Sequence, residues 1–277
     1  MRRRFHQLDV FTDQALLGNP LAVIHDAQGL SDAEMLALAR WTHLSETTFL
    51  LPPTQPGADY RVRIFTPGGE LPFAGHPTLG TCQAWLWAGG QPAQVDTVVQ
   101  ECGVGLVQVR CLGTQLAFAA PPLRRTGPLS EFDLGALLKS LGLNTDQVLA
   151  HQWVDNGPGW CALMLTDADT VLSVCPDMPA LGAYKVGLIG RHSPGGPADF
   201  EVRAFVPALG IGEDPVTGSL NAGLAQWLIG AELAPNPYRV RQGTLVGAQG
   251  QVFLSLSEGQ VWVAGQVVPC IEGEIGL

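Results

Sequence analysis

Charge is scarce in this chain of 277 residues: only 14% are Asp, Glu, Lys or Arg, against about 25% in an average globular protein. Basic charge is scarcer still, with 15 Lys and Arg against 25 Asp and Glu and a formal net charge of −10. Nucleic acid and anionic membrane surfaces reward clustered Lys and Arg, so neither is expected as a partner. The only basic run is Arg2-Arg3-Arg4, followed by Phe5-His6-Gln7-Leu8-Asp9 rather than the apolar core of a signal segment. No apolar stretch approaches the roughly 18 residues of a membrane-spanning helix; the best, Trp160 to Leu165, suits one buried strand. The six cysteines (Cys82, Cys102, Cys111, Cys161, Cys175 and Cys270) contain no Cys-x-x-Cys, so neither a disulfide framework nor a zinc site is expected. Most of them read as small buried apolar residues in a reducing compartment, and a cytoplasmic location is the expectation. His6, His25, His43, His151 and His192 have no metal-ligand spacing. Gly187-Leu188-Ile189-Gly190 lacks the third glycine and the following helix of a dinucleotide fingerprint. No metal and no cofactor are expected.

What the chain does have is apolar residues, 46%, together with 34 glycines and 21 prolines, about a fifth of its length. The first is enough for a sizeable core; the second means many turns between short elements. Strands are expected at Phe5 to Phe11, Ala22 to His25, Thr48 to Leu51, Tyr60 to Phe65, Thr97 to Gln100, Gly105 to Cys111 and Gln115 to Ala119. Others follow at Trp160 to Leu165, Phe200 to Val206, Gln251 to Leu256 and Val261 to Val268. Ser31 to Thr42 carries a capping-box start, Ser31 with Glu34, and Ser130 to Leu141 ends at Gly142. Two more helices begin after Gly75 and Gly218. About a dozen short strands with few helices indicate an α+β fold.

Those last two helices belong to an internal repeat. Arg63-x-Phe65-x-Pro67 is followed by Gly75-His76-Pro77-Thr78-Leu79-Gly80 and an apolar helix through Trp85. Arg203-x-Phe205-x-Pro207 is followed by Gly218-Ser219-Leu220-Asn221-Ala222-Gly223 and an apolar helix through Trp227. The two copies lie about half the chain apart, so two lobes of one architecture are expected: 1–120 with 265–277 returning to it, and 121–264, with an active-site cleft between them. Helices that are apolar all round are buried. Each of these still opens on a glycine, with backbone N–H groups and the positive end of its dipole exposed. Two such starts facing one cleft would hold an anionic group, a carboxylate by expectation.

The motifs Gly18-Asn19-Pro20-Leu21-Ala22-Val23, Ser45-Glu46-Thr47-Thr48-Phe49, Phe65-Thr66-Pro67 with Glu70-Leu71-Pro72-Phe73-Ala74-Gly75-His76-Pro77-Thr78-Leu79-Gly80, and Gly212-Glu213-Asp214-Pro215-Val216-Thr217-Gly218-Ser219 fall in order along the whole chain. In these the sequence resembles the PhzF-type isomerases. The resemblance implies the diaminopimelate-epimerase-like fold: two pseudo-symmetric lobes, each a mixed sheet wrapped around a central helix. It implies a two-fold homodimer as well. By the same resemblance Glu46 is the general acid/base, His76 a neutral hydrogen-bonding group at a helix start, and Asp214 a contact to a substrate amine. Ser219 and the backbone N–H groups of Gly75 and Gly218 hold a carboxylate, with Asn19 a further cleft residue. Each residue also has an ordinary alternative. Glu46 can be an exposed strand-edge Glu, His76 can cap its own helix, Asp214 can cap the turn before Pro215, and Asn19 can form a turn.

Epimerases of this fold place a Cys just before each helix-opening glycine; here those positions are Ala74 and Thr217. Neither is a useful base, which leaves one carboxylate, Glu46, on one side of the substrate. A single base can move a proton between two carbons on one face but does not readily invert a stereocentre. The expected function is a cofactor-independent isomerase acting on a small carboxylate-bearing, dihydro-hydroxyanthranilate-like molecule. The alternatives are an epimerase or isomerase of another amino or hydroxy acid, and a non-catalytic small-molecule-binding protein on the same scaffold.

Overall fold

The structure, a computed structural model, describes residues 1–209 and 211–277, the side chains of 209 and 211 apart. The chain divides into two compact units, Met1–Ala119 with Ala264–Leu277, and Ala120–Val263. The first contains β1 (Arg2–Val10), β2 (Asn19–Ile24), α1 (Asp32–Thr42), β3 (Thr47–Leu51), β4 (Tyr60–Thr66), β5 (Gly69–Leu71), α2 (Gly75–Trp87), β6 (Thr97–Cys102), β7 (Gly105–Leu112) and β8 (Gln115–Ala119). The second contains α3 (Glu131–Leu141), β9 (Val148–Trp153), β10 (Trp160–Leu165), α4 (Ala168–Ser173), α5 (Met178–Leu181), β11 (Lys185–Arg191), β12 (Phe200–Val206), β13 (Ile211–Asp214), α6 (Gly218–Gly230), β14 (Tyr238–Gln242) and β15 (Gly250–Ser257). β16 (Gln260–Gly265) carries the chain across the division, and β17 (Val267–Gly276) pairs antiparallel with β1.

Both units follow one pairing scheme. In the first, β1 and β2 are antiparallel, β2 and β3 parallel, β3 and β4 antiparallel, β4 and β6 parallel, and β6 and β7 antiparallel, with β5 a short hairpin partner of β4. In the second, β9 to β15 repeat those relations strand for strand, with β13 as the hairpin partner of β12. The repeated arginine has one job in both: Arg63 makes a two-pronged pair with Glu70 at 2.8 and 2.6 Å, and Arg203 one with Glu213 at 3.0 and 2.8 Å. Each guanidinium lies over the repeated phenylalanine, Phe65 or Phe205, at 5.0 and 4.8 Å from the ring centre.

α2 and α6 are the central helices, with nearly every side chain of their first two turns buried. A small residue lets each approach its sheet. A Cβ on Gly80 would lie 2.5 to 2.9 Å from Leu21, Leu8 and Val10, and one on Gly223 would lie 2.3 Å from the Val154 carbonyl. The other four helices are capped by side chains, Ser31, Ser130, Asp167 and Asp177, the first in a full capping box. α2 and α6 start at Ala74 and Thr217 with no side-chain cap.

Two expectations need correction. The strand expected over Val261 to Val268 is two strands: Gly265 packs its bare Cα against Phe11, where a Cβ would meet the ring at 2.3 Å, and the Gln266 carbonyl turns aside to accept the Phe11 N–H at 2.8 Å. Gly187 to Gly190, which carries no nucleotide assignment from its sequence, forms the middle of β11, its glycines admitting Leu220 and the Asp167 carbonyl at close range. Of the cysteines, only Cys82, Cys102 and Cys161 are buried, Cys175 being exposed. Among the described residues no helix is long and apolar enough to cross a membrane.

Candidate active site

The first unit gathers four of the residues singled out in the sequence. Asn19 opens β2, is fully buried, and pairs with Val10 of β1. The parallel register sets Ala22 beside Thr47, so Ser45 and Glu46, just before β3, run alongside Pro20 and Leu21. Ser45 Oγ reaches Asn19 Oδ1 at 3.4 Å. Because Gly80 lets α2 sit close on β1 and β2, His76 in its first turn can donate from one ring nitrogen to the Pro20 carbonyl. The other nitrogen, Nε2, stands 3.4 Å from Glu46 Oε2. His76 and Glu46 have side chains 7% and 15% exposed, so both face each other largely out of water.

Burial pushes the His76 imidazolium down to about 3, opposed only by the Pro20 carbonyl. Desolvation by burial is the largest cause of its neutrality. With its proton given to Pro20, the neutral ring turns a lone pair toward Glu46. Two threonines fix β3 against the helix: Thr81 donates to Thr48 Oγ1 at 2.8 Å, and Thr48 to the Ala22 carbonyl at 3.3 Å. Gly75 begins α2 one residue before His76.

The second unit holds Asp214, Gly218 and Ser219. β13 pairs with β12, Asp214 opposite Ala204 and Glu213 opposite Phe205, so the Arg203–Glu213 pair anchors the residue before Asp214. Thr217 Oγ donates to Asp214 Oδ2 at 2.5 Å. Ser219, second residue of α6, accepts from the Trp160 indole at 2.9 Å through its hydroxyl and from Asn156 at 2.8 Å through its carbonyl. Pro20, Ser45, Thr48, Thr81, Asn156, Trp160, Gln242 and Asn221 were not singled out by the sequence. Gly-Ser-Leu-Asn at the start of an apolar helix was the one available signal, since a fully buried Asn221 needs buried partners.

A strand scheme built twice in one chain, each copy around an uncapped apolar helix, defines the diaminopimelate-epimerase-like class of α+β isomerases. The chain belongs to the phenazine biosynthesis-like family, whose model matches residues 8–273, and is a PhzF-family isomerase. It is 33% identical to a trans-2,3-dihydro-3-hydroxyanthranilate isomerase of Pseudomonas aeruginosa over 97% of this chain and 94% of that one. It is 35% identical to antisense-enhancing sequence 1 of Schizosaccharomyces pombe, over 98% and 97%. The crystal structure of a PhzF-family protein from Enterococcus faecalis superposes with a TM-score of 0.82 at 26% identity, covering all of both chains.

Proposed function

We propose that the protein moves a proton, and with it a double bond, on a small dihydro-hydroxyanthranilate-like carboxylate, using Glu46 alone as the acid/base. The Glu46 carboxylate takes a proton from one ring carbon, the electron pair left behind shifts the double bond, and the carboxylic acid returns the proton to a second carbon on the same face. No net proton or electron is gained or lost. The observation that carries this reading is the buried Glu46–His76 pair at 3.4 Å, in which burial holds the imidazole neutral. A neutral ring whose Nε2 stands beside Glu46 accepts a hydrogen bond from a substrate N–H or O–H and does not compete for the travelling proton. Asp214 takes the substrate amine, Asn19 lines the site beside Ser45 and Glu46, and Ser219 with the backbone N–H groups of Gly75 and Gly218 takes the carboxylate. The uncapped starts of α2 and α6 support that last role. Ala74 and Thr217, where two-base epimerases carry thiols, favour a proton shift over epimerisation of an amino or hydroxy acid. A non-catalytic binder would have no use for Glu46 beside His76. A cytoplasmic homodimer completes the reading, and light scattering at micromolar concentration showing only 29.4 kDa particles would count against the dimer.

The test uses trans-2,3-dihydro-3-hydroxyanthranilate in D2O, followed by proton NMR. Glu46→Gln keeps size and hydrogen bonding but loses the titratable proton, and kcat is expected to fall by about 10²- to 10⁴-fold with KM little changed. Deuterium enters the product only in part, because the captured proton is returned before it fully exchanges. Undiminished turnover in Glu46→Gln would end the single-base mechanism.

A further inference from the structure

Gln242, the last residue of β14, is fully buried and uses its whole hydrogen-bonding capacity on the segment that carries Asp214. Its Oε1 accepts from the Thr217 backbone N–H at 3.1 Å and from Asn221 Nδ2 at 2.8 Å. Its Nε2 donates to the Asp214 carbonyl at 3.1 Å and to Thr217 Oγ1 at 3.0 Å. Asn221 closes the ring by donating to the Thr217 carbonyl at 2.9 Å. These partners admit only one orientation of the amide, because the Thr217 backbone N–H and Asn221 Nδ2 can only donate and the Asp214 carbonyl can only accept. The consequence falls on Thr217. Its hydroxyl oxygen is engaged by the Gln242 N–H, so its single proton is aimed at Asp214 Oδ2, 2.5 Å away. The loop is also pressed against the strand end, for a Cβ on Gly243 would lie 2.5 Å from the Pro215 carbonyl and one on Gly250 2.3 Å from Val216.

We propose that Gln242 is a positioning residue for substrate binding: through Thr217 it fixes the direction of the Asp214 carboxylate and keeps it a hydrogen-bond acceptor. This rests on Asp214 meeting the substrate amine. It gives the residue in the epimerase cysteine position, Thr217, a function of its own as the hydroxyl that passes the orientation on. Ala74, its counterpart in the first unit, has no such group; there the buried Gln100 donates to Thr78 Oγ1 at 3.1 Å and accepts from the Tyr60 hydroxyl at 2.9 Å.

Steady-state kinetics on trans-2,3-dihydro-3-hydroxyanthranilate tests this, with the melting temperature recorded for each variant. Gln242→Glu keeps the shape and the acceptor while losing the donor, and Thr217→Val keeps the shape while losing the hydroxyl. Each is expected to raise KM about tenfold, the scale of one charge-assisted hydrogen bond, with kcat within about threefold. Thr217→Ser recovers most of the loss seen in Thr217→Val. The Gln242→Glu/Thr217→Val double variant is no worse than the weaker single, since both cut one chain. Asp214→Asn raises KM at least as far. If Asp214→Asn leaves KM unchanged, the amine-binding reading falls and the positioning role with it. If Asp214→Asn raises KM while Gln242→Glu and Thr217→Val do not, or if their effects simply add, the positioning role alone is overturned.

Discussion

His76 is where burial decides protonation. An imidazole in water is half protonated near pH 6.5, but here desolvation lowers that point to about 3, so the ring is expected to be neutral at pH 7 and down to about pH 5. Its proton sits on the nitrogen that faces the Pro20 carbonyl, leaving Nε2 bare toward Glu46. Nitrogen-15 shifts of the ring should report one neutral tautomer unchanged from pH 8 to about pH 5; a titration near 6.5 would sink this account. His76→Ala should raise KM and lower kcat together, since it leaves the Pro20 carbonyl and the substrate donor unpaired. Glu46 and His76 were legible in the sequence because each sits in a distinctive local motif. Gln242 was not, because it acts on residues 25 and 28 positions away. Trp160 and Asn156, which hold Ser219 from 59 and 63 positions away, escaped for the same reason.

At the scale of the element, the repeat was readable wherever a residue type had a forced reason to recur. Arg63 and Arg203 pair with Glu70 and Glu213 over a phenylalanine, and Gly80 and Gly223 stand at the sixth position of their helices, against the sheet. Elements without such marks were missed. β11 is broken in sequence by Gly187 and Gly190, β5 is three residues long, and α4 and α5 are six and four. Helical glycines separate close packing from mere tolerance. Gly80→Ala is expected to cost about 1–3 kcal/mol, since the new methyl would overlap Leu21, Leu8 and Val10. Gly135, exposed in the middle of α3, has nothing within 4 Å of a Cβ. Gly135→Ala should therefore stabilise by about 0.5–1 kcal/mol through helix propensity alone. Urea titration of both variants checks the pair of signs; a destabilising Gly135→Ala would show that α3 is less open than its surroundings indicate.

Across the whole molecule the buried histidines with depressed protonation are all in the first unit. His6 and His25 share a hydrogen bond of 2.8 Å between ring nitrogens, which needs a lone pair on one side and excludes a proton on both. Burial lowers both, His25 to about 4 with His6 as the next cause, and His76 goes to about 3. An unfolded chain would protonate these rings near 6.5, so between pH 6.5 and about 4 it binds more protons than the folded one. Stability must then rise with pH across that window and fall as acid is added, by up to about 1.4 kcal/mol per pH unit for each ring. In the second unit the buried Glu201 runs the other way. Desolvation raises its carboxyl, partly offset by Thr244 and His192, so protonation in acid relieves the folded state. Acid unfolding is thus expected to begin in Met1–Ala119 with Ala264–Leu277, while Ala120–Val263 keeps its protection. Hydrogen exchange read by mass spectrometry at pH 5, corrected for intrinsic rate and compared with pH 7, should show extra opening in β1, β2, α2 and β17 first. His25→Asn, which removes one of these rings, should flatten the fall in melting temperature between pH 6.5 and 4.5. If protection in Ala120–Val263 is lost first, or His25→Asn leaves that slope unchanged, the buried rings are not what sets the acid limit of the fold.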